Sequence, residues 1–311
     1  MAQIPTDTIV TRGLTKTFGR ARVPIVTDLN LVVPRGAVYG FIGPNGSGKT
    51  TTMKMLLGLE QPSGGEIDLF GTTLAPNTWR RLIARCGALI ENPPGYGHLT
   101  GRENLRIVQH LRGVDDRRID DVMDLVRLRD HQHKLVRTYS LGMKQRLGIA
   151  IALAHHPELV ILDEPTNGLD PAGIEEIRRL IASLSERGVT VLVASHLLDE
   201  VEKVTTHLGI IGAGNLIFQG TRAELMAHTT ADTLLTTRTP VDTAGLSAST
   251  GVELAEEPSD GGQPRYRVSG VADVGALNTL LVNRGVEVTS LQQVTPSLED
   301  VFLRLTAKAQ L

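Results

Sequence analysis

Short apolar runs of strand length alternate with helical patterns through the first 229 residues of this chain. The clearest runs are AVYGFIG at 37–43, LVILDEP at 159–165 and VTVLVAS at 189–195. Continuous apolar runs of this length are typical of strands that are buried on both faces. The intervening helical segments supply the crossovers that parallel strands need. The pattern therefore predicts an α/β fold with a mainly parallel central sheet.

Two regions of the first 229 residues depart from this alternation. The N-terminal 35 residues indicate two or three strands in an antiparallel β meander. The stretch from Thr100 to about Leu128 has helical spacing and many charges, and contains no run of strand type. We therefore expect a helical subdomain over residues 95–150, inserted into the α/β core.

The composition changes after residue 229, where Thr, Ala and Asp become frequent. Residues 271–284 have the pattern of a helix, residues 285–294 that of a strand, and residues 297–308 that of a final helix. A turn or loose hairpin is expected at residues 259–264. These elements predict a small accessory α+β domain over residues 230–311.

Composition narrows the classes of function. The net charge of −2 over 311 residues gives the chain as a whole no basic surface for nucleic acid. One cysteine, Cys86, excludes an internal disulfide framework and multi-cysteine zinc modules, and no structural zinc is expected. The N-terminus lacks the pattern of a secretory signal, and no apolar run reaches the length of a membrane span. We expect a cytosolic chain whose membrane role, if any, needs a separate partner.

The stretch GPNGSGKT lies between a predicted strand and a predicted helix, and it fits the phosphate-loop pattern G-x-x-x-x-G-K-[ST]. Glycines let backbone N–H groups turn toward phosphate oxygens, and the helix N-terminus adds partial positive charge. Lys49 is expected to reach the β- and γ-phosphates of ATP, and the Thr50 hydroxyl to bind Mg²⁺. The predicted nucleotide contacts are Gly43, Pro44, Asn45, Gly46, Ser47, Gly48, Lys49, Thr50 and Thr51.

Two further strands end in residues that suit nucleotide hydrolysis. Asp163 follows an apolar strand and is expected to hold Mg²⁺ directly or through water. Glu164 is one residue further and can act as the general base on the attacking water. His196 follows the strand VTVLVAS, at the carboxyl end where α/β proteins bind ligands.

The motifs together resemble the ATP-binding subunit of ATP-binding-cassette (ABC) transporters. The decisive stretch is YSLGMKQRLGIA at 139–150, about 20 residues before Asp163, which is similar to the family signature LSGGQ. The resemblance covers residues 8 to 229 in motif order and spacing. It implies an ABC ATP-binding domain over residues 1–229, with the fold of a P-loop NTPase.

Several residues take their expected roles from this resemblance. Ser140 and Gly142 match signature positions that touch the γ-phosphate of an ATP held by the other subunit. Phe18 matches the aromatic residue that stacks on adenine, although a plain strand residue is the alternative. Asp170 matches the loop that crosses the dimer interface, and His196 matches a histidine that contacts the γ-phosphate.

Three positions depart from the usual family pattern. Leu141 stands where the signature has its first glycine, and Met143 where it has glutamine. Glu91 stands where most members carry a glutamine that reaches Mg²⁺ and the attacking water. Glu91 is therefore a predicted metal or water contact, with a surface charge as the alternative. Together with YSLGMKQRL, this glutamate resembles bacitracin- and lantibiotic-type resistance transporters, and PSLEDVFLRLT at 296–306 is similar to the tails of daunorubicin-type drug-export ATPases.

The resemblance implies the ATP-hydrolysing motor subunit of a drug- or antibiotic-export transporter. It would dimerise around two Mg²⁺-ATP, drive a separate transmembrane permease and lie peripherally on the cytoplasmic face of the bacterial membrane. The alternatives are an importer ATPase, or a non-transport ABC ATPase that acts on DNA or ribosomes. The sequence leaves open the exported compound, the choice between homodimer and heterodimer, and the role of residues 230–311.

Overall fold

A computed structural model describes residues 6–19, 23–91, 93, 95–196, 202–227, 232–250, 252–258, 262–271, 273–294, 300–301 and 305. The chain divides into two compact units. The first comprises Met1–Arg222 with Leu305–Leu311, and the second comprises Ala223–Arg304. Most of the helix Arg222–Ala227 thus belongs to the second unit, ahead of the boundary that composition suggested at residue 229.

The first unit contains two sheets and a set of helices. Its strands are β1 (Asp7–Phe18), β2 (Val23–Leu29), β3 (Val32–Pro34), β4 (Val38–Ile42), β5 (Gly64–Leu69), β6 (Thr72–Thr73), β7 (Cys86–Leu89), β8 (Leu159–Asp163), β9 (Thr190–Ser195), β10 (His207–Gly212) and β11 (Asn215–Gly220). Its helices are α1 (Lys49–Leu56), α2 (Trp79–Ile83), α3 (Gly101–Arg112), α4 (Asp116–Leu125), α5 (Leu141–Leu153) and α6 (Pro171–Glu186).

The central sheet has the strand order β11-β10-β4-β9-β8-β7. Its strands are parallel from β10 to β7, and β11 is an antiparallel edge strand. Every residue of β4, β8 and β9 is buried, because helices cover one face and α1 with the second sheet covers the other. Along β8, Val160 and Leu162 belong to the first core, and Leu159 and Ile161 to the second. The predicted α/β fold is therefore confirmed.

The second sheet of this unit is antiparallel and has the order β2-β1-β5-β6. It differs from the expected meander, because β2 and β3 do not pair with each other. Instead, β1 pairs with β3 through Asp7–Val10 and with β2 through Leu14–Phe18. Since β1 is 12 residues long, it offers separate partners to each of its halves.

Helices fill the stretch between β7 and β8, as the charge pattern predicted. Helix α3 begins at a capping box in which Thr100 accepts from the Glu103 N–H and Glu103 accepts from the Thr100 N–H. It ends at Gly113, whose φ of 68° suits glycine. Asp115 caps the N-terminus of α4. The apolar faces of α3, α4 and α5 pack together in the core below the central sheet.

The second unit contains most of the helix Arg222–Ala227, a four-stranded antiparallel sheet and the helices Thr243–Thr250 and Val274–Asn283. The strands are β12 (Asp232–Thr237), β13 (Glu253–Glu257), β14 (Arg265–Ser269) and β15 (Val288–Val294), in the order β13-β14-β12-β15. The helix Val274–Asn283 and β15 match the sequence pattern. The strand β12 and the helix Thr243–Thr250 were not predicted. Most of the final helix expected over residues 297–308 lies outside the described residues.

Candidate nucleotide site

Four strands of the parallel sheet direct their carboxyl ends toward the same edge, and each predicted catalytic segment follows one of them. Gly43 follows β4, Asp163 ends β8, and His196 follows β9. Glu91 comes two residues after the end of β7 at Leu89. Because ligands of open α/β sheets bind beyond these carboxyl ends, this edge is the candidate site.

The phosphate loop turns sharply into α1 at Gly48. Its φ of 103° lies in the left-handed region, and a Cβ at this position would lie 2.8 Å from the carbonyl oxygen of Ile25. Glycine is therefore required here by both conformation and space. Helix α1 begins directly after this turn, and the first N–H groups of a helix lack intrahelical partners, which suits a bound phosphate.

Lys49 carries the buried positive charge of this loop. Its Nζ donates to the carbonyl oxygens of Gly43, at 2.7 Å, and Pro44, at 3.2 Å. The side chain is 6% exposed, and its Nζ lies 3.8 Å from Glu164 Oε1. Burial lowers the pKa of Lys49, and the charges of Glu164 and Asp163 oppose that shift. The loop thus holds an ammonium group where it can meet phosphate oxygens.

Thr50 and Asp163 form the second feature of the site. The Thr50 hydroxyl donates to Asp163 Oδ2 at 2.8 Å. The other carboxylate oxygen, Oδ1, is buried and has no hydrogen-bond partner among the described residues. A buried carboxylate oxygen without a partner costs free energy unless a cation or water meets it. Hydroxyl and carboxylate oxygens are the ligands that Mg²⁺ prefers, so these two residues fit the ion.

Glu164 contacts His196 directly, which the sequence did not predict. The distance between Glu164 Oε2 and His196 Nδ1 is 2.8 Å. Glu164 has a φ of 48°, and a non-glycine residue in this region stores backbone strain of about 1–3 kcal/mol. The histidine therefore holds the orientation of the carboxylate, and the other oxygen of that carboxylate faces Lys49.

Glu91 has a partner that the sequence reasoning missed. Its Oε1 accepts from Lys54 Nζ at 2.5 Å, and its side chain is 58% exposed. Lys54 lies on α1 four residues after Thr50, so the two share one face of the helix. That spacing is the signal in the sequence that could have identified Lys54 as a neighbour of the site.

The cavity beside these residues has a volume of about 480 Å³. It brings together most of the residues predicted from the phosphate loop and the two acidic strands. Its lining consists of Ile25, Asn45, Gly46, Gly48, Lys49, Thr50, Thr51, Glu91, Asp163, Glu164 and Asn167. Ser47 of the same loop does not line the cavity, and its buried hydroxyl has no partner among the described residues. Phe18 does not line this cavity; it ends β1, is 42% exposed, and lies 4.8 Å from Lys16 Nζ.

The predicted signature residues form a separate exposed cavity of about 420 Å³. Ser140 caps the N-terminus of α5 by accepting from the Met143 N–H, and Gly142 lies in the first turn. Asp170 caps α6 by accepting from the Gly173 N–H. Among the described residues, the two cavities share no lining residue. The signature is therefore not part of the phosphate-loop cavity of its own subunit.

Leu141 shows how this chain accommodates its unusual signature. The side chain is 46% exposed and lies against Gly168, where an added Cβ would come within 2.8 Å of Leu141 Cδ2. Gly168 has a φ of 73°. The leucine thus connects the start of α5 with the loop that leads to Asp170.

Comparisons with known proteins identify the family. The model of the ABC transporter family matches residues 26–167. The bacitracin transport ATP-binding protein of Bacillus licheniformis is 41% identical over 306 residues, which cover 96% of each chain. This chain belongs to the ATP-binding subunits of ABC transporters. The family assignment suggested by the signature and the phosphate loop is confirmed, and with it ATP binding and hydrolysis in a transporter.

Two further proteins are similar to this chain over 97% and 71% of its length. The daunorubicin/doxorubicin resistance ATP-binding protein of Streptomyces peucetius is 34% identical over 319 residues, or 97% of this chain and 93% of that one. A solved ATP-binding subunit of an ABC transporter is 27% identical with a TM-score of 0.64, and covers 71% of this chain and 92% of that one. The solved structure matches the fold of the ATP-binding domain.

Two observations concern the described residues only. None of the helices found there is both long enough and apolar enough to cross a bilayer. No three His, Cys, Asp or Glu side chains come together there as a group that could hold a metal ion. The candidate Mg²⁺ site depends instead on Thr50, Asp163 and the phosphates of the nucleotide itself.

Proposed function

We propose that this ABC ATP-binding subunit powers the export of an antibiotic or drug through a separate membrane permease. The observation that carries the proposal is the constellation of Lys49, Thr50, Asp163 and Glu164 around one cavity. The relatives named for bacitracin transport and daunorubicin/doxorubicin resistance support the substrate class. They favour export over the importer and the DNA- or ribosome-directed alternatives.

The residues of this cavity have complementary roles in the proposed hydrolysis. Lys49 and the N–H groups at the start of α1 bind the phosphates and offset their negative charge. Glu164 accepts a proton from the attacking water, while His196 holds the carboxylate in place. Glu164 Oε1 lies only 3.8 Å from the Lys49 ammonium. The general base is therefore adjacent to the residue that binds the γ-phosphate.

We propose Mg²⁺ as the metal of this site, held by Thr50 and Asp163, with Glu91 as a further ligand or water contact. When bound, Mg²⁺ would offset charge that develops on the phosphates. The buried Asp163 Oδ1, which has no partner among the described residues, supports this assignment. Thr50 holds the other oxygen of the same carboxylate at 2.8 Å, so the carboxylate is fixed beside the Thr50 hydroxyl.

We propose that the functional unit is a dimer with two ATP molecules between its subunits. The signature cavity of each subunit presents Ser140, Gly142 and the N-terminus of α5, but within the described part of the chain it shares no lining residue with the phosphate-loop cavity. A second subunit can bring its signature to the first subunit's ATP, where the helix N-terminus favours the γ-phosphate. One chain carries both half-sites, the phosphate-loop cavity and the signature cavity. Two copies related by a two-fold axis would therefore complete two ATP sites. Asp170 would lie in the loop that crosses this interface.

The permease supplies the membrane-spanning part in this proposal and places the chain at the cytoplasmic face of the membrane. A groove of about 290 Å³ between α2, β7 and α3 offers it a docking surface. Leu59, Trp79 and Leu111 are exposed on this groove, and Leu111 is 77% exposed. Arg112 lies at the same groove, so a permease segment with apolar side chains and an acid would complement it.

Two measurements test the proposed function. Purified protein should hydrolyse ATP, and Lys49→Ala should reduce nucleotide affinity at least about tenfold, the loss expected for a charge-assisted contact. Lys134→Ala, at an exposed lysine of the helical subdomain, is the control. Full nucleotide affinity in Lys49→Ala would overturn the site.

Export is tested in a susceptible bacterium that expresses this chain together with a candidate permease. We expect increased resistance to a peptide antibiotic or an anthracycline, and loss of that resistance with Lys49→Ala. Unchanged susceptibility to every such compound, together with intact ATP hydrolysis, would contradict the substrate class while leaving the ATPase assignment in place.

A further inference from the structure

The ion pair between Glu91 and Lys54 lies at the border of the nucleotide cavity. Lys54 Nζ and Glu91 Oε1 are 2.5 Å apart, and the two side chains are 34% and 58% exposed. Glu91 lines the cavity together with Thr50 and Asp163, the two residues suited to Mg²⁺. A carboxylate that could face a cation is thus held by a lysine of the same protein.

The backbone of Glu91 has an unusual conformation that needs contacts to hold it. Its φ is 63°, in the left-handed region that non-glycine residues rarely adopt. Such a conformation costs about 1–3 kcal/mol and persists only where surrounding contacts hold it. The contact with Lys54 fixes the end of this side chain, and Lys54 itself is fixed on the last turn of α1.

Helix α1 connects the lysine directly to the phosphate loop. The helix begins at Lys49, and Thr50 and Lys54 are four residues apart on it. The same short helix therefore presents the hydroxyl expected at Mg²⁺ and the ammonium that binds Glu91. Because both groups are positively charged, a cation that attracts the Glu91 carboxylate competes with the Lys54 ammonium for its negative charge.

We propose that Lys54 is a positioning residue that competes with the divalent cation for Glu91. Without nucleotide and metal, Lys54 holds Glu91 beside α1. When the metal and the phosphates occupy the cavity, the carboxylate turns from Lys54 to the metal or its water. This inference rests on the proposed function, since it takes Mg²⁺ as the metal of the site.

The experiment measures divalent-metal binding directly rather than turnover. Mn²⁺ serves as the probe in the presence of a non-hydrolysable ATP analogue, and its bound fraction is read by electron paramagnetic resonance. Lys54→Met should lower the half-saturating Mn²⁺ concentration about two- to fivefold, the range expected when a half-exposed ion pair no longer competes. Glu91→Gln should raise that concentration, because it removes a carboxylate from the site.

The double variant separates competition from a general effect of charge. If Lys54 acts through Glu91, Lys54→Met should have no effect on Mn²⁺ binding when Glu91→Gln is already present. If Lys54→Met still changed Mn²⁺ binding in the protein that carries Glu91→Gln, its effect would be one of general charge, and the proposal would be overturned. Lys54→Arg should bind Mn²⁺ like the unaltered protein, since it retains the ion pair, and Lys134→Met controls for the loss of an exposed lysine charge.

The outcomes also distinguish this inference from the proposed function. Unchanged Mn²⁺ binding in Lys54→Met, with normal binding of the nucleotide analogue, would overturn the role of Lys54 and leave the ATPase site intact. Failure of the unaltered protein to bind the analogue would instead contradict the nucleotide site itself.

Discussion

At the scale of single residues, the site depends on side chains whose partners lie far away in the sequence. Asp163 meets Thr50, His196 meets Glu164, and Lys54 meets Glu91. Each of these contacts joins residues at or beyond the carboxyl ends of different strands of one parallel sheet. The contacts therefore exist only once the sheet has formed, and they order the site by fixing carboxylates that would otherwise repel one another.

Gly48 offers a test of the phosphate loop at this scale. Gly48→Ala should reduce ATP affinity at least about tenfold, because a Cβ is strained at a φ of 103° and meets the Ile25 carbonyl at 2.8 Å. Isothermal titration with ATP measures the change.

Gly188→Ala is the matched control for Gly48→Ala. Gly188 also has a positive φ, 80°, but an added Cβ there meets no atom of the described residues within 4 Å, and the residue precedes β9 at the opposite edge of the sheet. Gly188→Ala should lower the free energy of unfolding by about 1 kcal/mol and leave ATP affinity unchanged. Equal ATP affinity in the two variants would contradict the loop's role.

The sequence identified most of the site's residues but few of their contacts. The GPNGSGKT motif and the two acids within LVILDEP are local patterns, which a sequence displays directly. The Lys54–Glu91 and Glu164–His196 pairs depend on how neighbouring strands are ordered, which the pattern alone did not provide. The predicted roles of all the site residues, those of the phosphate loop, Asp163, Glu164 and His196 included, stay predictions.

At the scale of elements, an arginine joins the two sheets of the first unit. Arg85 precedes β7 and donates to both carboxylate oxygens of Glu158, at 2.6 and 2.8 Å. Its guanidinium lies 3.8 Å from the centre of the Phe70 ring, next to β5. Arg35, which follows β3, contacts the same carboxylate at 3.3 Å. The cluster lies at the end of the sheet opposite to the nucleotide cavity.

Arg85→Met should lower the free energy of unfolding by about 0.5–1 kcal/mol at pH 7, the range for a partly exposed ion pair with a stacked ring. Arg85 lowers the pKa of Glu158, so this contribution is present above the ordinary pKa of a glutamate and is lost as pH falls through the folded-state pKa. The difference in free energy of unfolding between Arg85→Met and the unaltered protein should therefore shrink below about pH 4. Only the contribution of the contact with the Phe70 ring should then remain.

Urea unfolding at pH 7 and at acidic pH measures this dependence. Arg81→Met, at an exposed arginine on α2, is the control and should change stability little at either pH. A loss of stability in Arg85→Met that is the same at both pH values would contradict the ion-pair account.

The elements that the sequence predicted well are those with an unambiguous hydrophobic pattern. β4, β8 and β9 are buried along their whole length, so each appears as a continuous apolar run. β12 is also buried, but its sequence DTLLTT is rich in threonine and gives no such run. The pairing of β1 with both β2 and β3 was not predicted, because the length of a strand does not determine which strands pair with it.

At the scale of the whole molecule, the exposed groove between the core and the helical subdomain is expected to transmit motion to the permease. Leu111→Glu should leave nucleotide binding and basal ATP hydrolysis unchanged, because Leu111 is 77% exposed and lies outside both nucleotide half-sites. It should abolish antibiotic resistance in cells, since a carboxylate would meet the apolar permease segment.

Susceptibility assays with normal expression of the variant measure this effect. Val282→Glu, at a residue 57% exposed in the second unit, is the matched control and should retain resistance. Full resistance in cells that express Leu111→Glu would contradict the proposed docking surface.

The central claim is that two copies of this chain close around ATP and open when Glu164 supports its hydrolysis. The most direct test is the molar mass in solution of Glu164→Gln, measured by light scattering with and without Mg²⁺-ATP. The account predicts a monomer without nucleotide, a stable dimer with ATP and almost no turnover, and no dimer when Lys49→Ala is added. A Glu164→Gln protein that binds ATP but stays monomeric, or that hydrolyses ATP at the rate of the unaltered protein, would contradict it.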